Sequence, residues 1–317
     1  MTTQNTQPET TSAWPDVAVV IPTRGRPELL RKAVQHVVDQ DYPGQIEVIV
    51  VHDQETPDQS ISQLGTGNRT VRAMANDSGP GLAGSRNAGI ARTEAPIIAS
   101  CDDDDYWMAG KLTKQVQRLK DDPALMVVGA GLRLVMGPDQ VVEWVGPKDV
   151  ITLADLARGR RKELHSSTLV MRREVFDQVG GYDESLPNSY AEDYEFLLRA
   201  VRLGPIGTIR EPLAYIKKDG QSWFRERSEV IAEALTYLLR THPELELSPR
   251  GHARILGQIA FAHAGKGDRR EALTYIGRSM RRYPLAPQAG LALVQVTTGS
   301  NPTSLLKQAR RFGRGLA

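Results

Sequence analysis

The chain has 317 residues, of which 40% are apolar and 25% charged, with 40 Lys and Arg against 38 Asp and Glu for a net charge of +2. That length is long for one domain and comfortable for two, and the composition is that of a soluble globular protein. A single cysteine, Cys101, excludes an intramolecular disulfide framework and a cysteine-rich zinc site, and no run approaches the ~18 apolar residues of a membrane-spanning helix.

Residues 1–15 are polar and rich in Thr and Gln, with neither a basic start nor an apolar run, and read as a disordered tail rather than a signal peptide. Residues 17–21 form a short apolar run closed by Pro22, the pattern of a buried strand. Pro27 takes a favoured first-turn position of a helix, and Leu29, Leu30, Ala33, Val34, Val37 and Val38 then recur with helical period as far as Gln40. The turn Tyr42-Pro43-Gly44 leads to a second buried strand, 46–51, ending at His52-Asp53. A weaker strand is expected at 71–75. Gly79-Pro80-Gly81 breaks the chain before a helix over 82–92, and a fourth strand, 96–100, runs straight into Asp102-Asp103-Asp104-Asp105. Strands alternating with helices imply an α/β fold with a mostly parallel sheet, whose ligands bind beyond the carboxyl ends of the strands. Three polar clusters fall at such ends: Thr23-Arg24, His52-Asp53 and the aspartate run.

Downstream, the pattern predicts a helix over 111–120 and a hairpin of strands 126–135 and 141–145 turning at Gly137-Pro138. A strand at 168–171, an amphipathic helix over 190–203 and short strands at 206–209 and 213–216 follow. Beyond Gln221 the strand signal stops, and 226–240, 249–264 and 269–282 read as helices. The last two, joined by Gly265-Lys266-Gly267-Asp268, resemble one tetratricopeptide-type hairpin, a single unit where stable arrays need about three. The expected division is a tail over 1–15, an α/β domain over 16–224 and a small all-α domain over 225–317. From Arg225 onward Lys and Arg outnumber Asp and Glu by fifteen to seven; before it they trail by twenty-five to thirty-one. The basic helices are either solvated faces or a peripheral contact for anionic lipid or another polyanion. They carry no interleaved aromatics and no nucleic-acid-binding motif, so no nucleic-acid partner is expected. The expected location is cytoplasmic, with peripheral attachment to the inner membrane face and homo-oligomerisation both left open.

Four consecutive aspartates after a buried strand repel one another unless a counter-ion is present. A hard divalent cation, Mn or Mg, prefers such carboxylate oxygens, keeps several waters and takes substrate phosphates as further ligands. The alternative is a solvated acidic loop, against which stand the apolar strand leading in and the Tyr106-Trp107 that follows.

Several blocks together resemble glycosyltransferase family 2. The stretch 19–26 with its Pro22-Thr23-Arg24, the turn Gln40-Asp41-Tyr42-Pro43 and the stretch 47–53 are similar to that family's opening. Residues 81–91, with Arg86-Asn87-Ala88-Gly89, resemble its second block, and 101–107 its metal-binding Asp-x-Asp block. His165-Ser166-Ser167, Gly180-Gly181-Tyr182-Asp183 and Ala191-Glu192-Asp193-Tyr194-Glu195-Phe196 resemble its middle and acceptor-side regions. The resemblance covers roughly residues 16 to 224. It implies a GT-A, Rossmann-like fold, a nucleotide-diphosphate sugar as donor, with UDP the expected nucleotide, a hydroxyl acceptor of unread class, and inversion at the anomeric carbon.

On that resemblance, Pro22, Thr23, Arg24 and Asp53 would hold the base and ribose. Arg86 would either offset the diphosphate charge or form a structural ion pair with an aspartate. Alignment on Trp107 puts Asp102 and Asp104 at the Asp-x-Asp positions, with Asp104 the direct metal ligand and Asp102 or Asp103 on ribose or the metal's waters. Asp193 is the expected general base, in the first turn of a helix whose N-terminus favours its ionised form. Glu192 is the second base candidate or an acceptor ligand. His165 and Ser166 would line the acceptor cleft and Trp223 would pack on a sugar ring. Relatives often carry a His near Tyr215; here Lys217 and Lys218 stand there and would hold the diphosphate as point charges. Two other classes compete: an inactive scaffold whose helical tail binds a partner, and a sugar nucleotidyltransferase. The latter needs a Gly-rich basic loop after the first strand that Pro22-Thr23-Arg24-Gly25-Arg26 does not supply. A dehydrogenase is not expected, since no GxGxxG follows a strand.

Overall fold

Apolar runs flanked by helical faces assemble into one 10-stranded sheet in the computed structural model, which describes residues 14–137, 140–217, 228–300 and 305. Most of the expected N-terminal tail, residues 1–13, lies outside the described residues, as does Pro138 of the expected hairpin turn. The chain begins with β1 (Val17–Thr23), α1 (Pro27–Val38), β2 (Ile46–His52), β3 (Arg69–Ala75), α2 (Leu82–Ile90) and β4 (Ile97–Ser100). It continues with β5 (Tyr106–Trp107), α3 (Lys111–Asp121), β6 (Val127–Val135), β7 (Val141–Trp144), β8 (Val150–Ile151) and α4 (Leu153–Arg158). Then come β9 (Val170–Arg172), α5 (Arg173–Val179), α6 (Glu192–Ala200) and β10 (Ile206–Lys217), and last α7 (Ser228–Thr241), α8 (Pro249–Gly265), α9 (Arg269–Arg282) and α10 (Pro287–Thr298). The sheet order is β3-β2-β1-β4-β9-β6-β10-β5, with β7 on β6 and β8 on β10. Strands β1 to β4 are mutually parallel, and β9 enters antiparallel to both β4 and β6.

Helices cover both faces, which is why β1 is apolar at successive positions instead of alternating. Val17, Val19 and Ile21 point into one core layer with α1 and α3, while Ala18 and Val20 point into the other with α2 and α6. The second layer also takes Leu235 and Leu238 of α7 and Ile255 and Ile259 of α8. Polar ties reinforce this: His242 Nε2 lies 3.1 Å from Glu195 Oε1, and the Tyr237 hydroxyl donates to Asp183 at 2.6 Å. The helical segment therefore packs on the sheet layer and shares its core.

Three predicted stretches differ in the structure. The strand expected at 168–171 starts at Val170, because residues 166–168 form a 3-10 turn in which Thr168 Oγ1 donates to the carbonyls of Glu163 and His165. The two short strands at 206–209 and 213–216 are one strand, β10, whose register against β6 shifts on either side of Pro212; a proline has no N–H for the ladder and sits at such bulges. The helix expected from residue 190 starts at Glu192, since Asn188, Ser189 and Ala191 all have positive φ. Helices α4, α5 and α10 and strands β5 and β8 were not expected. Among the described residues no helix is long and apolar enough to cross a membrane.

Candidate active site

The carboxyl ends of β1 to β4 lie along one edge, and the polar residues after each strand meet there. Asp53 accepts from Asn76 Nδ2 at 3.0 Å, the Gly81 amide at 3.1 Å and Gln54 Nε2 at 3.0 Å, with Arg24 at 3.8 Å. Burial works against its charge, yet these donors prevail and hold its carboxyl below the usual range. Pro22 is buried within β1, and Arg24 is exposed. Thr23 Oγ1 donates to Asp103 at 2.7 Å, and Arg26 reaches both Asp103 (3.1 Å) and Asp104 (2.9 Å).

The aspartate run folds into a turn that points its members in different directions. Asp102 accepts from Arg86 Nη2 at 2.7 Å and Ser166 Oγ at 2.8 Å, and its own amide donates to Ser167 Oγ at 3.0 Å. Asp105 is buried, accepting from Ser167 Oγ at 2.5 Å and the Lys217 amide at 3.1 Å. One oxygen from each of Asp102 and Asp105 and one ring nitrogen of His165 lie within 4.8 Å of one another. Asp104, the residue expected to ligate the metal directly, sits outside that group, 28% exposed and facing Arg26. Burial, then repulsion from Asp102 and Asp103, pushes Asp104 up to about 6, and burial with the charges of Asp102 and Asp104 pushes Asp105 well above the usual range. Burial also opposes the charge of Asp102, but the Arg86 guanidinium overcomes it and keeps that carboxyl ionised.

Of the two readings of Arg86, the structure shows the ion pair. Its side chain is 1% exposed and reaches Asp102 with Nη2 and Glu192 with Nη1, so it joins the acidic turn to the start of α6. Burial nevertheless pushes the Glu192 carboxyl up to about 7. Its neighbour Asp193 takes Arg160 Nη2 on both oxygens, at 2.7 and 2.9 Å, and accepts from the Tyr194 amide at 2.7 Å. Burial is outweighed by Arg160, and Asp193 is held below the usual carboxylate range. Removing one member of a buried ionic network strands the others. Arg86→Met is therefore expected to destabilise the fold by about 3 kcal/mol or more, read as a lower denaturant midpoint; an unchanged midpoint would mean the network contributes nothing net.

Expected and observed residues thus meet in part. Asp102 joins Arg86, Glu192 and Ser166 and lies near His165, Thr23 bonds Asp103, and Arg26 bridges Asp103 and Asp104, while Asp53 and Asp193 keep separate partners and Lys217 meets Asp105 through its backbone amide. Lys218 and Trp223 lie outside the described residues. Sequence reading missed Asp105, Ser167, Arg26 and Arg160 as members. Asp105 and Ser167 were visible inside quoted motifs; Arg160 stands 33 positions before its partner Asp193, with no local pattern to link them.

Comparison with known proteins agrees with this geometry. The family profile described as Glycosyl transferase family 2 matches residues 18–180, half of the chain. An uncharacterized glycosyltransferase of Rickettsia felis is 25% identical over 202 residues, 61% of this chain and 32% of that protein. The succinoglycan biosynthesis protein ExoU of Rhizobium meliloti is 26% identical over 62% of this chain and 59% of its own length. The chain thus spans about a third to under two thirds of the length of these relatives. Among solved structures, S. aureus TarS 1–349 in complex with UDP-GlcNAc superposes with a TM-score of 0.59 at 18% identity, covering 94% of this chain and 92% of that one. The mannosyltransferase PcManGT from Pyrobaculum calidifontis, in complex with GDP-Man and Mn2+, superposes with a TM-score of 0.55 at 17% identity, covering 91% and 84%. The sheet is that of a GT-A fold, and the chain belongs to glycosyl transferase family 2.

Proposed function

We propose that the protein moves a sugar from a nucleotide-diphosphate sugar, UDP-linked, onto an acceptor hydroxyl with inversion at the anomeric carbon. The observation that carries this reading is the buried Arg86, which ties the acidic turn at Asp102 to Glu192 at the start of α6, next to an Asp193 that Arg160 holds ionised. Donor-side groups would be Pro22, Thr23, Arg24 and Asp53 for the nucleoside, with Lys217 near the diphosphate. Asp53 already accepts three hydrogen bonds, which fixes its direction and leaves it an oriented acceptor for a base N–H or ribose hydroxyl.

A divalent cation fits this turn. Asp102, Asp105 and His165 offer hard or borderline donors close together, and the burial and mutual repulsion of these carboxyls are what a cation relieves. Those three residues would hold it, with Asp104 at the rim and able to act through water. The cation, when bound, supplies Lewis-acid stabilisation of the diphosphate leaving group. The protein's own residues do the rest. Asp193 accepts the proton of the acceptor hydroxyl as the oxygen forms its bond to the anomeric carbon; the bond to the diphosphate oxygen breaks with its electron pair on that oxygen. One in-line displacement of this kind inverts the centre. Glu192 orients the site through Arg86.

Calorimetric titration with UDP, GDP and dTDP, with and without Mn, tests the donor side. UDP is expected to bind only with metal present. Tighter binding of GDP would correct the nucleotide, and no nucleotide binding by the folded protein would sink the reading.

A further inference from the structure

Against Gly159, one residue before the Asp193 partner Arg160, lies a guanidinium that the proposed chemistry does not use. Arg254 projects from α8 against the loop that follows α4. A β-carbon at residue 159 would stand only 2.1 Å from Arg254 Nη1 and 2.9 Å from Cζ, and Gly159, at φ 148°, provides the space. The next residue in that loop is Arg160, the partner of Asp193. Arg254 Nε is buried with no hydrogen-bond partner, and among the described residues no carboxylate pairs with this side chain. Arg160 commits only Nη2 to Asp193; no protein acceptor meets its Nε or Nη1 among the described residues, and its side chain is 42% exposed. The Tyr194 hydroxyl, on the residue after Asp193, is committed to the Leu156 carbonyl. Burial and the like charge of Arg160 pull Arg254 below its usual pKa.

Asp193 balances the charge of Arg160, but among the described residues no carboxylate balances Arg254, and a like-charged neighbour without its own counter-charge favours a further anion. A single carboxylate is satisfied by one guanidinium fork; forks from two guanidiniums suit the three terminal oxygens of a phosphate monoester. Resting on the transferase reading above, we infer that Arg254 and Arg160 receive a phosphate ester carried by the acceptor, beside the hydroxyl that Asp193 activates. The phosphate belongs either to a soluble acceptor or to a lipid headgroup, and the helical segment contributes to acceptor recognition through α8.

The test uses the full chain with nucleotide and Mn at saturation, so that the donor site cannot take the probe. Glycerol 3-phosphate is titrated against glycerol, and phosphatidic acid vesicles against phosphatidylcholine vesicles, for wild type, Arg254→Gln and Arg254→Lys. Glycerol 3-phosphate is expected to bind where glycerol does not, with affinity about tenfold weaker in Arg254→Gln and intermediate in Arg254→Lys, which keeps the charge without the fork. Binding to the anionic vesicles alone, with the same dependence on Arg254, assigns the phosphate to a lipid. Two results overturn the inference: no binding of either phosphate probe, or binding indifferent to Arg254→Gln, as adhesion through other basic residues of the helices would give. Nucleotide binding, measured first on each variant, reports the fold and keeps the outcomes separable. If the wild type takes no nucleotide, the donor reading fails on its own, and the phosphate titration still judges Arg254.

Discussion

Asp193→Asn is expected to lower the turnover of nucleotide-sugar hydrolysis, in which water replaces the acceptor, by about 10³-fold, with nucleotide affinity unchanged. The substitution is nearly isosteric, so the amide side chain would still receive the Tyr194 N–H that orients the carboxylate now. What it cannot do is accept a proton. Stability is a small part of the effect. Arg160 would lose a charged partner, but at 42% exposure water screens most of that loss. Glu192→Gln provides the contrast. Glu192 is committed to Arg86, whose side chain is 1% exposed, whereas the partner of Asp193, Arg160, is 42% exposed, so the proton step is kept on Asp193. A milder fall, about tenfold, is expected there through loss of Arg86's orientation. Equal losses in the two variants, or hydrolysis that survives in Asp193→Asn, would remove Asp193 from the proton step.

How far the site could be read in the sequence depends on where the information lies along the chain. Residues that end a strand were legible: an apolar run followed by Thr23, Asp53 or Asp102 puts each at the same sheet edge once the strands are parallel. The acid pair on α6 was legible because its helix period was. Which aspartate turns inward was not. Asp102 to Asp105 occupy a turn of irregular backbone, and Asp105 faces the core only because Ser167 and the end of β10, more than sixty residues away, meet it there. Arg160 and Arg254 were invisible for the same reason: Arg160 reaches Asp193 on α6 and Arg254 packs from α8 on the loop after α4, with no short-range pattern to announce either. The helical segment was legible as helices but not as part of the core: its apolar stripes predict burial without saying against what, and Leu235, Leu238 and Ile255 are buried in the layer formed by α2 and α6.

Asp102→Asn and Asp105→Asn are each expected to abolish the metal-dependent part of nucleotide binding, whereas Asp104→Asn keeps most of it. The ordering follows from geometry. Asp102 and Asp105 contribute oxygens that lie with the His165 ring nitrogen inside 4.8 Å, while Asp104 faces Arg26 at the rim. The two inner variants should differ in what they do to the metal-free protein. Asp102 is the carboxylate on Arg86, so an amide at that position leaves the buried guanidinium with Glu192 as its one remaining acid and destabilises the fold. Among the described residues Asp105 has no Lys or Arg side chain hydrogen-bonded to it; it accepts from Ser167 and a backbone amide while crowded by like charge. An amide there removes repulsion and keeps an acceptor for one of those donors, so metal-free stability should hold or rise. For wild type, Mn at about one hundred times its dissociation constant should stabilise the protein by about 2.7 kcal/mol. Chemical denaturation with Mn or with chelator reads both quantities at once. The expected pattern is a metal increment lost in both inner variants, with a lower metal-free midpoint in Asp102→Asn alone. A metal increment that survives in Asp105→Asn and vanishes in Asp104→Asn would move the ion to the rim and restore the Asp-x-Asp assignment read from the sequence.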